Sequence, residues 1–211
     1  MDANAFASSW LAEDAPLVAA RARAGEVGIG AVSPAAGSLL AFLAAQVNAK
    51  AVVETGTGTG VSGLWLLRGM RPDGALTSVD IESEHQRLAR TAFSEAGVPA
   101  ARARLITGDA LAVLPRLADH AYDLVVLDAA PQDYAGQLEQ AWRLLRPGGV
   151  VVVVGVLRGG RGVDVVIRDA EAIAVRDLLE SVKTDESLVP ALLPIGDGLL
   201  VLGSGATDPA T

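Results

Sequence analysis

Three carboxylates stand where they could do chemistry: Glu54, Asp80 and Asp128 each close a short apolar run of the chain. A carboxylate in that position can hold a cation, accept hydrogen bonds from ribose hydroxyls, or take a proton from a reacting group. The first of them opens Glu54-Thr55-Gly56-Thr57-Gly58-Thr59-Gly60, in which glycines alternate with threonines. Without Cβ atoms, these glycines allow positive φ and let a ligand lie on the backbone, and free amides at the start of a following helix point toward it. The plainer reading is a tight strand-to-helix turn, but the alternation exceeds what packing needs. Gly58-Thr59-Gly60-Val61-Ser62-Gly63 also matches the G-x-G-x-x-G spacing of dinucleotide sites, a weak signal alone. Glu54 argues against a pyrophosphate, because an acid just upstream repels phosphate and a buried carboxylate needs a positive or hydrogen-bonding partner. A cationic ligand fits better.

The elements that must position these groups follow in order. Residues 11–24 read as a helix ended by Gly25, and Gly28 to Pro34 is a small-residue loop before a second helix from about Ala35 to Val47. That loop is either a connector or a flap over a bound ligand. Ala51 to Glu54 is a buried strand, and Val61, Leu64, Trp65 and Leu67 recur at helical spacing after the glycines. Ala75 to Asp80 is the second strand, with Ser83 and Gln86 forming a capping box for the next helix. Asp80 lies ~20 residues beyond the glycine loop, where nucleotide folds set an acid against ribose. The alternative, an Asp that only caps the helix, is disfavoured because Ser83 supplies that cap.

Ala103 to Thr107 is a third strand, followed by Gly108-Asp109-Ala110, and Tyr122 to Asp128 is a fourth. A helix from Asp133 to Leu145 stops at Pro147-Gly148-Gly149, Val150 to Val154 is a strand buried on both faces, and Asp164 opens a last helix to about Val182. Leu188 to Leu193 and Leu199 to Leu202, joined through Gly196-Asp197-Gly198, read as an antiparallel hairpin. In an open α/β sheet ligands gather outside the carboxyl ends of the strands, so Glu54, Asp80 and Asp128 are expected on one crevice.

The loop Glu54 to Gly60 resembles the E/D-x-G-x-G-x-G loop of class I S-adenosylmethionine-dependent methyltransferases, whose ligand carries an ammonium and a sulfonium. Val52 to Gly56, Leu64 to Leu66, Asp80-Ile81-Glu82, Asp123 to Asp128, Leu144 to Gly149 and Leu193 to Gly198 are similar to the small O-methyltransferases related to catechol and caffeoyl-CoA O-methyltransferases. The likeness covers nearly the whole chain. It implies a Rossmann-like class I methyltransferase fold: a seven-stranded, mostly parallel sheet with a C-terminal antiparallel hairpin and helices on both faces. A single domain is expected over 1–211, with a helical cap segment over 1–48 and the core over 49–204. The resemblance also implies that Val32, Glu54, Gly56, Thr57, Gly58, Ser62, Asp80, Ile81, Asp109 and Ala110 line the cofactor. Asp128, Tyr134 and Arg158 would face the acceptor, with Asp128 as the catalytic candidate and Asp133 and Arg161 nearby. It further suggests a homodimer through the amino-terminal helices and the apolar surface near the hairpin.

The sequence departs from that family where the chemistry happens. There a divalent cation is held by the acid matching Asp128 and an Asp-Asn pair, and a lysine serves as base; here the pair is Val154-Gly155 and the lysine position is Pro131. A hard cation wants several oxygen ligands, so no divalent metal is expected.

The 211 residues, 51% hydrophobic, suit one ordered α/β domain. A net charge of -8 repels phosphodiester backbones, and no basic stripe extends beyond Arg102 and Arg104, so nucleic acid is not an expected partner. With no cysteine, and with Asp2, Glu13 and Asp14 where a secretory signal would be basic or apolar, a cytoplasmic protein is expected. No apolar run approaches the ~20 residues that span a bilayer. The leading expectation is methylation of a small hydroxylated, phenol- or enol-like molecule with S-adenosylmethionine. A binding protein for that cofactor or for S-adenosylhomocysteine that has lost turnover, and a nicotinamide-dependent oxidoreductase, are the alternatives.

Overall fold

The computed structural model describes residues 3–205. Three helices come first: α1 (Ala3–Trp10), α2 (Ala15–Glu26) and α3 (Pro34–Gln46). There follow β1 (Ala51–Thr55), α4 (Val61–Gly69), β2 (Ala75–Asp80), α5 (Ser83–Glu95), β3 (Ala103–Thr107) and α6 (Ala110–Val113). The rest is β4 (Tyr122–Leu127), α7 (Tyr134–Leu144), β5 (Leu145–Val154), α8 (Ala170–Thr184), β6 (Leu188–Leu193) and β7 (Leu199–Ser204). One seven-stranded sheet has the order β3-β2-β1-β4-β5-β7-β6, and only β7 runs against its neighbours. The order turns back between β1 and β4, which puts the glycine loop after β1 at the switch point where such sheets bind ligands.

Alternation along the strands builds a core on each face. Val52, Leu124, Val126, Val152 and Val154 join the cluster with α2, α3, α4 and α5, while Val53, Val125, Leu127, Val151 and Val153 join α7 and α8. Each such side chain, fully buried, contributes ~1.5–3 kcal/mol. The cap helices are fixed by close approach. A Cβ on Gly37 would lie 2.2 Å from the Trp65 ring and one on Gly69 1.9 Å from the Ala41 carbonyl, so α3 and α4 touch backbone to side chain at one end and backbone to backbone at the other. Arg102, one of the two arginines that made up the short basic stretch, is spent on the carbonyls of Gly74 and Arg71 at 2.9 Å each. Among the described residues no helix is long and apolar enough to cross a membrane.

Several boundaries differ from expectation for physical reasons. The first expected helix is α2, capped by Asp14 on the Leu17 amide, and it continues through Gly25; α1 precedes it unannounced. Ser83 is a helical residue, and no side chain caps α5 from Glu82, so the capping box does not form. Gln86 instead turns inward, donating to Thr57 Oγ1 at 3.0 Å and to the Ile106 carbonyl at 3.0 Å. The chain enters β5 directly after Leu144, and Pro147-Gly148-Gly149 forms a bulge there rather than stopping the helix. The last helix is capped by Asp169 on the Ala172 amide, not by Asp164. The β-branched Val165, Val166 and Ile167 after Asp164 resist a helical start, and Asp164 closes a turn onto the Val166 amide. The outermost residues of the expected single-domain span, 1–2 and 206–211, lie outside the described residues.

Candidate functional site

The glycine loop is held by contacts that only glycine permits. Gly56, Gly58 and Gly60 have φ of 84°, 50° and 90°. A Cβ on Gly56 would lie 1.9 Å from the Asp128 carbonyl oxygen, so the loop after β1 is pressed against the loop after β4. Gly60 sits against Ala89 and Phe93 of α5, so its requirement is packing, whereas Gly56 and Gly58 also line a cavity. No side chain caps α4, and its first amides stay uncapped by the protein's side chains.

Asp80 clamps this loop from β2. Its Oδ2 accepts the Gly58 amide at 2.8 Å and its Oδ1 the Glu82 amide at 2.9 Å, with His85 Nδ1 at 3.2 Å. Asp80 thus does part of the capping that Ser83 was expected to do, and still presents an edge to the cavity.

Glu54 is wholly buried. Ser78 Oγ donates to its Oε2 at 2.7 Å; with that proton committed, Thr57 Oγ1, 2.7 Å from Ser78 Oγ, is the donor to Ser78, and Gln86 donates to Thr57. Glu54 Oε1 has no partner. Burial raises its pKa to about 7, the neighbouring Ser62 and Ser78 hydroxyls offset part of that, and the charges of Asp128 and Asp80 add to it.

Beside the loop lies a cavity of about 460 Å³. Ile29 and Gly30 form one wall, Asp80, Ile81, Asp109 and Ala110 another, and Asp128, Tyr134 and Arg158 a third, with Asp133 and Arg161 at the edge. An annex of about 20 Å³ is lined by Val32, Thr57 and Ser62 and shares Gly56, Gly58 and Asp128 with the main cavity. The Gly28 to Pro34 loop is therefore a wall of the site as well as a connector. Ile81 is 66% exposed, an apolar side chain left open over the cavity mouth. Every expected site residue lines one of these spaces except Glu54, which lies beneath the loop floor. Asp80 and Asp128 meet at the crevice, and Glu54 does not reach its wall.

At the acceptor end, burial raises the pKa of Asp128 to about 6; Arg158 opposes the shift, and Asp197 and Asp80 add to it. Arg158 Nη2 stands 3.8 Å from Asp128 Oδ1, and Nε donates to Asp197 Oδ2 at 3.0 Å. The guanidinium lies against Gly155, where a Cβ would be 3.2 Å from it. Tyr134 was expected to offer its hydroxyl to the acceptor. That hydroxyl instead donates to the Val154 carbonyl at 2.7 Å, bracing β5, and burial raises its pKa. Among the described residues no group of three or more His, Cys, Asp or Glu side chains is gathered where it could hold a metal ion.

The sequence reading missed His85, Gln137, Asp197 and Glu171. His85, in the same short stretch as Asp80, was the one with a local signal. Gln137 of α7 accepts from Thr55 Oγ1 of β1 at 2.7 Å, and nothing in its own neighbourhood announces that.

A cavity at the switch point of a seven-stranded, mostly parallel sheet with an antiparallel carboxyl-terminal pair is the arrangement of the Rossmann-like methyltransferases. Comparison with known proteins gives the family: residues 13–203 match the O-methyltransferase family, and the chain belongs to it, which makes it an S-adenosylmethionine-dependent transferase. It is 56% identical over 190 residues to a provisionally named O-methyltransferase of Mycolicibacterium vanbaalenii, covering 90% of this chain and 84% of that one. A crystal structure of a Corynebacterium glutamicum protein superposes with a TM-score of 0.89 at 34% identity, covering 97% of this chain and 96% of the other. The O-methyltransferase TomG of Streptomyces achromogenes, involved in tomaymycin synthesis and solved with S-adenosylmethionine, gives 0.86 at 31% identity, covering 96% and 95%. These comparisons lend nothing to the nicotinamide-dependent alternative.

Proposed function

We propose that this chain methylates a small hydroxylated molecule, phenol- or enol-like, using S-adenosylmethionine and no divalent metal. The observation that carries the reading is the convergence of the Gly56 to Gly58 backbone, Asp80 and Asp128 on one cavity. The cofactor supplies a methyl group on a sulfonium, which leaves as sulfur takes the electron pair. The residues present fit it: Asp80 offers carboxylate edges to ribose hydroxyls, and Ile81, Asp109 and Ala110 flank an adenine. Val32, Thr57 and Ser62 enclose the amino-acid end. The unpartnered Glu54 Oε1 lies under that end and supplies negative charge for an ammonium.

The reaction asks the protein for alignment and for a place to put a proton. Asp128 takes the acceptor's hydroxyl proton, and its raised pKa keeps it basic enough to do so near neutrality. The metal-free reading is supported by donor chemistry: Asp128 shares its cavity wall with Pro131 and Gly155 and has a guanidinium 3.8 Å away, and a positive side chain beside the carboxylate opposes a cation there. We also read the protein as a cytoplasmic single-domain chain that forms a homodimer. Phe6, Trp10 and Phe42 are 59%, 70% and 56% exposed around one apolar hollow with Leu39 and Ile195.

Calorimetry with S-adenosylhomocysteine and with NADH tests the cofactor, and mass spectrometry for S-adenosylhomocysteine formed over a panel of phenols tests turnover. Binding of NADH but not of S-adenosylhomocysteine would sink the proposal.

A further inference from the structure

A buried donor in the wall of the main cavity has no acceptor. Gln137, on α7, is fully buried and borders that cavity beside Ala130 and Asp133. Thr55 Oγ1, at the end of β1, donates to Gln137 Oε1 at 2.7 Å. This bond sets the amide: the oxygen is committed, and Nε2 is the end left over, without a partner. An amide N–H that gives up water and finds no acceptor carries the full cost of its desolvation, so a buried orphan of this kind calls for an explanation.

The elements it touches fix its place along the cavity. One turn earlier on α7, Tyr134 reaches β5 through the Val154 carbonyl, at the acceptor end. Gln137 reaches β1 instead, the strand that leads into the glycine loop. Its neighbour Gly136 lies against α6, where a Cβ would stand 3.1 Å from Leu111 Cδ2, and Leu111 directly follows Asp109 and Ala110 of the cavity wall. Gln137 therefore belongs to the Asp109 end. There, Asp109 Oδ1 accepts the Ala112 amide at 3.0 Å as the cap of α6, and its second oxygen remains an acceptor. An acceptor at Asp109 with a donor at Gln137 complements the edge of a 6-aminopurine, whose exocyclic amine donates while the ring nitrogens on either side of it accept.

We infer that Gln137 reads the base of the cofactor: its Nε2 donates to N1 or N7 of the adenine, the ring nitrogens that flank the exocyclic amine. The inference rests on the proposed use of S-adenosylmethionine and deepens it, from a cavity that accommodates a nucleoside to one that selects the purine. The bond counts for more than a hydrogen bond exchanged with water, because the empty protein leaves the donor unsatisfied and the base satisfies it. Thr55 acts through Gln137 as a positioning residue, holding the amide with its nitrogen outermost.

Calorimetry with S-adenosylhomocysteine and its 1-deaza and 7-deaza analogues tests this, since each analogue replaces one acceptor nitrogen by C–H and keeps the size of the base. The wild-type protein should bind one of the two analogues about tenfold more weakly than S-adenosylhomocysteine. Gln137→Met keeps the length of the side chain and removes the donor. It should bind S-adenosylhomocysteine about tenfold more weakly and no longer distinguish it from that analogue. A glutamine that only braced Thr55 would, when replaced, weaken all three ligands alike and leave the wild-type preference in place. That outcome, or equal binding of all three ligands by the wild type, overturns the inference. Should Gln137→Met fail to fold, NMR of the wild-type glutamine side-chain amides decides: one should move downfield with S-adenosylhomocysteine and stay in place with the weaker analogue, and no such movement overturns the inference. Failure of the wild type to bind S-adenosylhomocysteine at all overturns the cofactor assignment and this reading with it, whereas binding without discrimination overturns this reading alone.

Discussion

The carbonyl oxygen of Asp128 occupies the place a side chain on Gly56 would need, 1.9 Å from where its Cβ would be. The loop that carries the cofactor-facing backbone and the loop that carries the candidate proton acceptor are thus one packed unit. Gly56→Ala must displace that carbonyl and also holds a positive φ, so it should destabilise the fold by ~2 kcal/mol or more and shift Asp128. Denaturant unfolding and S-adenosylhomocysteine affinity, measured together, check this; a variant normal in both contradicts the coupling.

Asp80 bonds two backbone amides and lines the cavity. Asp80→Ala frees the Gly58 loop and removes the ribose-facing carboxylate, and losing a hydrogen bond to a charged group costs ~1.5–3 kcal/mol. S-adenosylhomocysteine binding should weaken by at least about tenfold by calorimetry, with helix content by circular dichroism unchanged.

Glu54 ties stability to pH. Its carboxyl titrates at 4.5 as a model group and at about 7 in the fold, so the folded chain holds that proton more tightly. Its contribution is complete below 4.5 and is lost as pH rises through about 7. The ligand-free protein should therefore lose stability across that window, on the order of 3 kcal/mol from this group. Asp128 adds a loss in the same direction between 3.8 and about 6. Glu54→Gln should flatten the profile, which urea titrations at several pH values would reveal. A profile as steep as wild type removes Glu54 as its cause.

If Asp128 accepts the proton, methyl transfer should rise with pH through about 6 and then level off. Asp128→Asn should lower kcat about a hundredfold or more. Chelator should leave the rate of the wild-type protein unchanged. Loss of activity with chelator and recovery on adding magnesium would show ligands outside the set recognised around Asp128.

The apolar hollow between α1 and α3 should be covered by a second copy of the chain. Trp10→Glu places a charge on a residue 70% exposed in the free chain, so it should leave the fold intact and halve the mass measured by light scattering. A wild-type protein already monomeric at micromolar concentration refutes the dimer.

Local pattern was enough for the sheet and the loop. Ala75 to Asp80 and Leu188 to Leu193 fall where the apolar and β-branched runs put them, and the alternating glycines marked the turn after β1, because strand propensity and positive φ are properties of a few adjacent residues. The strand-end acids were legible for the same reason. What those acids and their neighbours touch was not legible. Gln86 looked like a cap partner for Ser83 and became the far end of a buried chain to Glu54, since strand register sets Ser78 beside Glu54. Tyr134 looked like a hydroxyl for the acceptor and was taken by the Val154 carbonyl of a neighbouring strand. Arg158 was expected to face the acceptor, but not its partners: the antiparallel return of β7 brings Asp197 to it, and the bulk-free Gly155 lets it reach Asp128. Those partners lie tens of residues apart in sequence, and only the packing of strands and their turns selects which buried polar atoms find one another.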